Sequence, residues 1–179
     1  MKKITLAILL SCIITTLNAQ TEKGDWLIGG RIDINTGENS THIGFSPNAG
    51  YFVTKNVAVG GNLTIDYSET GSIKYTDFGI GPFARFYFTN AMVRPLIQVS
   101  VDYISSKAKG TGFSSTNTGS KIFLGGGAAV FINPNVSIEG IMGYSHTKYT
   151  DFDGNGGFNL GIGFQVYLNK GQVNKLRGK

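Results

Sequence analysis

At 179 residues, 26 of them Gly and only 4 Pro, the chain suits a single domain, and its glycine content penalises helices. Its 16 basic residues outnumber 11 acidic ones, but Lys2 and Lys3 sit in an N-terminal leader and Lys170, Lys175, Arg177 and Lys179 in a C-terminal tail; the rest are scattered, which excludes a nucleic-acid footprint. The one cysteine, Cys12, also falls in the leader, so disulfides and thiolate metal sites are excluded from the mature chain.

Lys2 and Lys3, the apolar stretch from Ile4 to Leu17 and then Asn18-Ala19-Gln20 follow the order of a secretory signal peptide, with cleavage expected after Ala19. Residues 1–19 are therefore set apart, residues 20–168 are expected to form the folded domain, and residues 169–179 a basic periplasmic tail. After the leader no apolar run of ~18 residues occurs, so a spanning helix is not expected and any membrane crossing must use strands.

From Trp26 onward the apolar residues recur at every second position, the period of a strand. Trp26, Ile28, Gly30, Ile32 and Ile34 share one face, with Leu27, Arg31 and Asp33 on the other. The second segment sets Ile43, Phe45, Pro47, Ala49, Tyr51 and Val53 against His42, Ser46, Asn48 and Phe52. The third sets Val57, Val59, Leu63, Ile65 and Tyr67 against Asn62, Thr64 and Asp66, and the fourth sets Phe78, Ile80, Pro82, Ala84, Phe86 and Phe88 against Asp77, Phe83, Arg85 and Tyr87. Pro95, Ile97, Val99, Val101 and Tyr103 then oppose Leu96, Gln98, Ser100 and Asp102. Ile122, Leu124, Ala128, Val130 and Ile132 oppose Lys121, Phe123 and Phe131. Val136, Ile138, Met142 and Tyr144 oppose Ser137, Glu139, Ile141 and Ser145, and Phe158, Leu160, Ile162, Phe164, Val166 and Leu168 oppose Asn159, Gln165 and Tyr167. Eight strands result, each near the ~9–11 residues that a tilted strand needs to cross hydrocarbon.

The connections alternate in length. Thr54-Lys55-Asn56, Thr89-Asn90-Ala91 and Asn133-Pro134-Asn135 read as tight turns, whereas Thr36 to Thr41, Ser68 to Tyr75, Ser105 to Gly119 and Thr147 to Gly157 read as longer loops rich in Gly, Ser, Thr and Asn. Short turns at one end and long loops at the other predict an all-β, eight-stranded antiparallel up-and-down transmembrane barrel with periplasmic turns and extracellular loops. A soluble barrel would carry its apolar face inside and cover its outside with Lys and Glu. Here the polar face is made mainly of Gly, Ser, Asn, Gln and a few charges, small enough to fill a narrow lumen. Trp26, Tyr51, Phe86 and Phe88 toward the turns, and Tyr67, Phe78, Tyr103, Tyr144 and Phe158 toward the loops, read as two membrane-interface girdles.

The blocks Pro47-Asn48-Ala49-Gly50-Tyr51-Phe52-Val53, Asn56-Val57-Ala58-Val59-Gly60 and Gly79-Ile80-Gly81-Pro82-Phe83-Ala84-Arg85-Phe86-Tyr87-Phe88 resemble the outer membrane protein β-barrel domain family of small OmpA/OmpX-type barrels. The resemblance covers nearly the whole mature chain. It implies residence in the cell outer membrane, contact with outer-membrane lipid including lipopolysaccharide, and handling by the barrel-assembly machinery. Gly163, Val166 and Leu168 resemble the assembly signal that machinery reads, except that the chain continues beyond them.

Buried charges must be paired, so an internal ion network is expected, led by Arg85 with Glu139 and joined toward the loops by Arg31, Asp33, Asp66, Asp77, Asp102 and Lys121. Asp151-Phe152-Asp153-Gly154-Asn155 resembles the first half of a calcium loop, yet Ile162 stands where the closing acidic residue belongs; a surface turn is the reading, with weak binding by Asp151, Asp153 and Asn155 as the alternative. Ser145 adjoins His146, and His42 is expected at the same rim, but no acid orients either histidine and the His-x-Ser order of the lipid A deacylase barrels is missing, so no catalytic residue is expected. Gly125-Gly126-Gly127 lacks the Lys-Ser/Thr of a phosphate loop and reads as close packing. The expected protein is a monomeric, non-enzymatic barrel without a cofactor, serving membrane integrity and surface recognition or adhesion through an unknown extracellular partner. A lipid-modifying enzyme and a narrow pore for ions or small solutes are the alternatives.

Overall fold

The computed structural model describes residues 21–37, 40–150, 154–176 and 178. The leader, residues 1–19, and the calcium-loop candidates Asp151 and Asp153 lie outside the described residues. Eight strands follow in order: β1 (Trp26–Gly37), β2 (Ser40–Phe52), β3 (Val57–Thr70), β4 (Ile73–Tyr87), β5 (Val93–Gly110), β6 (Phe113–Asn133), β7 (Val136–Tyr149) and β8 (Asn155–Leu168). A short exposed helix, α1 (Lys170–Leu176), follows them, within the expected basic tail.

Each strand pairs antiparallel with the next, and β1 returns to β8 from Trp26↔Leu168 to Asp33↔Gly161, closing the barrel. Closure matters because an open edge in hydrocarbon would leave backbone groups unpaired, at a cost of several kcal/mol each. The alternation in the sequence survives as alternation in space: on β5, Val93, Ile97, Val99, Val101 and Tyr103 face outward while Arg94, Leu96, Gln98, Ser100, Asp102 and Ile104 are buried inside. The outer wall is apolar and open to its surroundings, with Phe158 81% and Leu160 69% exposed. No helix among the described residues is long and apolar enough to cross a membrane.

Two of the expected long loops are corrected. Ser68 to Tyr75 and Ser105 to Gly119 lie mostly in strands, because β3 and β4 pair as far as Thr70↔Ile73 and β5 and β6 as far as Gly110↔Phe113. Both hairpins close with two residues. Gly71 takes the first turn position with φ +59° and Gly112 the second with φ +85°, conformations that L side chains adopt only at a cost. The Ser, Thr, Asn and Lys residues of these segments are polar on both faces, so apolar alternation ends while ladder pairing continues. The other two expected loops also shorten, since β1 reaches Gly37 before β2 starts at Ser40, and β7 reaches Tyr149 before β8 starts at Asn155.

Side-chain hydrogen bonds fix the opposite, short-turn end. Asn56 Nδ2 donates to Tyr87 O at 2.8 Å and Asn135 Nδ2 to Tyr167 O at 2.8 Å, so each turn is tied to a neighbouring strand. Ahead of β1, residues 21–25 run across this end: Gly24 N donates to Phe52 O at 2.8 Å and Thr21 Oγ1 to Lys55 O at 2.8 Å.

Candidate functional site

The lumen is filled in two layers. Its short-turn half is not the Gly, Ser and Asn filling expected from the sequence but an aromatic plug. Phe52, Tyr87, Phe131 and Tyr167 pack at ring-centroid separations of 4.7 to 6.4 Å, with Leu27 and Leu96 beside them, all buried. These residues stood on the polar face of the alternation; the signal for them was large rings recurring near the short turns of that face. Two further inward rings, Phe83 and Phe123, find room over glycines. Phe83 rests on Gly50, where a Cβ would meet its Cζ at 2.9 Å, and Phe123 lies over the paired Gly125 and Gly143, where a Cβ on Gly143 would meet its Cε2 at 2.7 Å.

At the centre, Arg85 (3% exposed) meets Glu139 (1% exposed), with Nη1 donating to Oε2 at 2.8 Å and to Oε1 at 3.0 Å. Gln98 Oε1 accepts from Arg85 Nε at 3.0 Å and from Nη2 at 2.6 Å, and Tyr87 OH accepts from Nη1 at 3.0 Å. Tyr167 OH donates to Glu139 Oε1 at 3.0 Å, Tyr87 OH lies 3.1 Å from Tyr167 OH, and Ser137 Oγ lies 3.3 Å from it. Arg85 and Glu139 project from β4 and β7, on different walls of the barrel, so this network cross-braces the lumen. A second buried guanidinium, absent from the sequence reading, sits lower: Arg94 stacks 4.3 Å from the Phe131 ring centroid, and its Nη1 donates to Thr21 Oγ1 at 2.9 Å. Its position one step before Leu96 and Gln98 in the inward set of β5 was the available signal.

Toward the loops lies a polar chamber. Arg31 Nε meets Asp33 Oδ2 at 3.1 Å, and Lys121 Nζ meets Asp66 Oδ2 at 3.3 Å with His42 Nε2 3.9 Å from the same carboxylate. Asp102 is held by neutral donors instead, Asn62 Nδ2 at 2.7 Å and Ser100 Oγ at 3.2 Å. Asp77 stands opposite Asp66 in the β3–β4 ladder, and among the described residues no cation lies within 4.0 Å of it. Arg31 also covers the Phe123 ring at 4.8 Å. The free space left in the chamber is about 30 Å³, enough for about two water molecules.

Ser145 and His146 project to opposite sides of β7. Ser145 is buried and accepts from Asn159 Nδ2 at 2.7 Å, whereas His146 is exposed on the outer wall; adjacent strand residues cannot form a nucleophile and its base. Asn155 begins β8. Among the described residues no group of three or more His, Cys, Asp or Glu is placed to hold a metal ion.

On the outside, the aromatic residues named from the sequence face away from the lumen. Trp26 and Tyr51 pack edge to face at 5.6 Å, Phe86 and Phe88 at 5.0 Å, and Tyr144 and Phe158 at 5.5 Å. From Phe88 to Phe78 the chain advances about 33 Å, which at a tilt of roughly 40° stands about 25 Å tall, the height of an outer-membrane apolar band. Of the assembly-signal residues, Gly163 faces the lumen and Val166 and Leu168 the outer wall.

A family described as outer membrane protein beta-barrel domain matches residues 4–167. Among solved structures, the Neisserial surface protein A is 16% identical, with TM-score 0.65, covering 80% of this chain and 96% of its own. The N-terminal β-barrel domain of Pseudomonas aeruginosa OprF is 12% identical, with TM-score 0.59, covering 83% and 100%. Ail, the attachment invasion locus protein of Yersinia pestis, is 16% identical, with TM-score 0.51, covering 82% and 100%. At these identities the likeness is one of fold. No curated protein matches the chain.

Proposed function

The chain belongs to the outer membrane protein beta-barrel domain family and resides in the cell outer membrane, and from that premise we propose that it is a non-enzymatic barrel that seals its own lumen and presents a surface hairpin for recognition or adhesion. The observation that carries this reading is the β5–β6 hairpin. Its strands, 18 and 21 residues long, exceed the other six, and they continue past Tyr103 and Ile122 as Ser, Thr, Lys and Asn that hydrogen-bond to each other as far as Gly110 and Phe113. A polar ladder of that length is wasted in lipid and suited to water, where both of its faces can meet a partner.

The filled lumen supports the rest of the reading. A plug of packed rings beneath a cross-braced ion pair offers neither a water path nor a cleft that positions a nucleophile, so the interior serves rigidity. In this account residues 1–19 are a leader removed after Ala19, residues 169–179 remain in the periplasm, and Gly163, Val166 and Leu168 are read by the barrel-assembly machinery.

The test is to shorten the hairpin by deleting residues 107–114 and joining the strands through a Gly-containing turn. Cells displaying this form are expected to lose adherence to surfaces that the full chain confers, while the purified protein keeps its heat-modifiable gel migration. Undiminished adherence with a folded barrel would exclude the hairpin as the recognition element.

A further inference from the structure

At and just above the loop-side girdle, the outer wall of β3 to β6 carries three lysines in two adjacent rows of the sheet. One row reads Tyr67–Thr76–Lys107–Thr116 across the four strands, and the next reads Glu69–Lys74–Lys109–Ser114. Lys74, Lys107 and Lys109 are all exposed, and among the described residues none has a carboxylate within 4.0 Å. Glu69 stands directly opposite Lys74 without reaching ion-pair distance, and its Oε2 accepts from Tyr67 OH at 3.2 Å. Lys74 and Lys109 are direct cross-strand partners, an arrangement of like charges that destabilises a sheet unless an anion lies between them.

These side chains line an open recess of about 540 Å³ whose other walls are Tyr67, Thr76, Phe78, Ser105 and Thr116. The recess therefore joins three cations and three hydroxyls to an aromatic floor, and that floor is the girdle itself. Immediately below it the wall continues through Ile80 and Val101, both exposed and apolar. The height is that of lipid headgroups in the outer leaflet.

We propose that this recess binds the phosphate-bearing headgroup of an outer-leaflet glycolipid. The phosphate sits between Lys74 and Lys109, Lys107 reaches it from the row below, the hydroxyls of Thr76, Ser105 and Thr116 take sugar or phosphate oxygens, and the acyl chains run down the wall past Ile80 and Val101. An ammonium is a point-charge phosphate ligand with three donors, so three of them around one recess can satisfy a doubly charged group without a fixed fork. The lipid source is favoured over free phosphate by continuity: one surface holds the charged recess and, directly beneath, a chain-length strip of apolar wall. The inference rests on the outer-membrane placement and is independent of the adhesive role.

The test uses the mature barrel in dodecyl maltoside, immobilised and exposed to labelled bis-phosphorylated lipid A, the same lipid after phosphate removal, and inorganic phosphate as competitor. The wild-type chain is expected to retain the phosphorylated lipid at least ~10-fold better than the dephosphorylated one. With roughly fivefold expected per lysine, Lys74→Gln, Lys107→Gln and Lys109→Gln together are expected to abolish that preference. The corresponding triple Lys→Arg variant is expected to keep it, as is a control with Lys23→Gln, Lys55→Gln and Lys175→Gln at the periplasmic end. Heat-modifiable migration reports that each variant is folded. Equal retention by the triple Gln variant, no preference in the wild-type chain, or full displacement by millimolar inorganic phosphate would overturn the proposal.

Discussion

Arg85 and Glu139 lie 54 residues apart in the chain and 2.8 Å apart in the barrel, with Gln98 and Tyr87 accepting further hydrogen bonds from Arg85 and Tyr167 donating one to Glu139. A buried pair of this kind is weak evidence of net stabilisation, because both charges lose their water. Its loss by halves is another matter. Arg85→Met or Glu139→Leu alone leaves an uncompensated charge inside the lumen and is expected to lower the unfolding free energy by roughly 3–5 kcal/mol, whereas the double replacement is expected to recover most of that loss. Guanidinium unfolding of the barrel in lipid vesicles reads the difference; single variants as stable as the wild type would mean that water reaches the pair.

Glycine positions inside and outside the wall should respond in opposite ways. Gly143→Ala places a Cβ against the Phe123 ring and the Gly125 backbone and is expected to cost about 1–3 kcal/mol, while Gly140→Ala, on the outer wall with nothing within 4 Å, is expected to be neutral or slightly stabilising. The same unfolding experiment on the two variants compares them directly.

A charge on the outer wall probes what that wall touches. Val99→Arg lies in the middle of the apolar band and is expected to destabilise the barrel by roughly 2–4 kcal/mol in bilayers, and Thr111→Arg at the hairpin tip by less than about 0.5 kcal/mol. Equal effects at the two positions would contradict the placement of the band between the girdles.

The rings of Phe52, Phe131 and Tyr167 pack against one another at the short-turn end of the lumen, so the wild-type chain reconstituted in planar bilayers is expected to show no sustained conductance. Stepwise single-channel currents under symmetric salt would count for the narrow-pore alternative.

The strand count, the antiparallel order and the inward or outward sense of the apolar-alternating segments were legible in the sequence, because hydrocarbon on one side and a narrow lumen on the other force every second residue of those segments into a consistent chemistry. The extent of β5 and β6 was not. Beyond Ser105 the two faces meet the same solvent, Lys107, Lys109, Thr116 and Thr118 carry no apolar alternation, and only the ladder itself, a long-range pairing, defines the strands. The plug escaped for a related reason: Phe52, Tyr87 and Tyr167 fall on the inner face, but that they converge at one height depends on stagger between strands, which a single-strand period does not carry. Arg85 and Glu139 were nameable as inward charges; the supporting Gln98, Tyr87 and Tyr167 became visible only in three dimensions.

A projection held as paired backbone as far as Gly110 and Phe113 gives up little freedom when something grips it, so a partner meets a shape settled in advance and the entropic penalty of association stays small. The two-residue bends at Gly71 and Gly112 also offer proteases scant slack and leave little scope for insertions. Variation at this surface would then come by exchanging side chains on a fixed lattice, not by lengthening it.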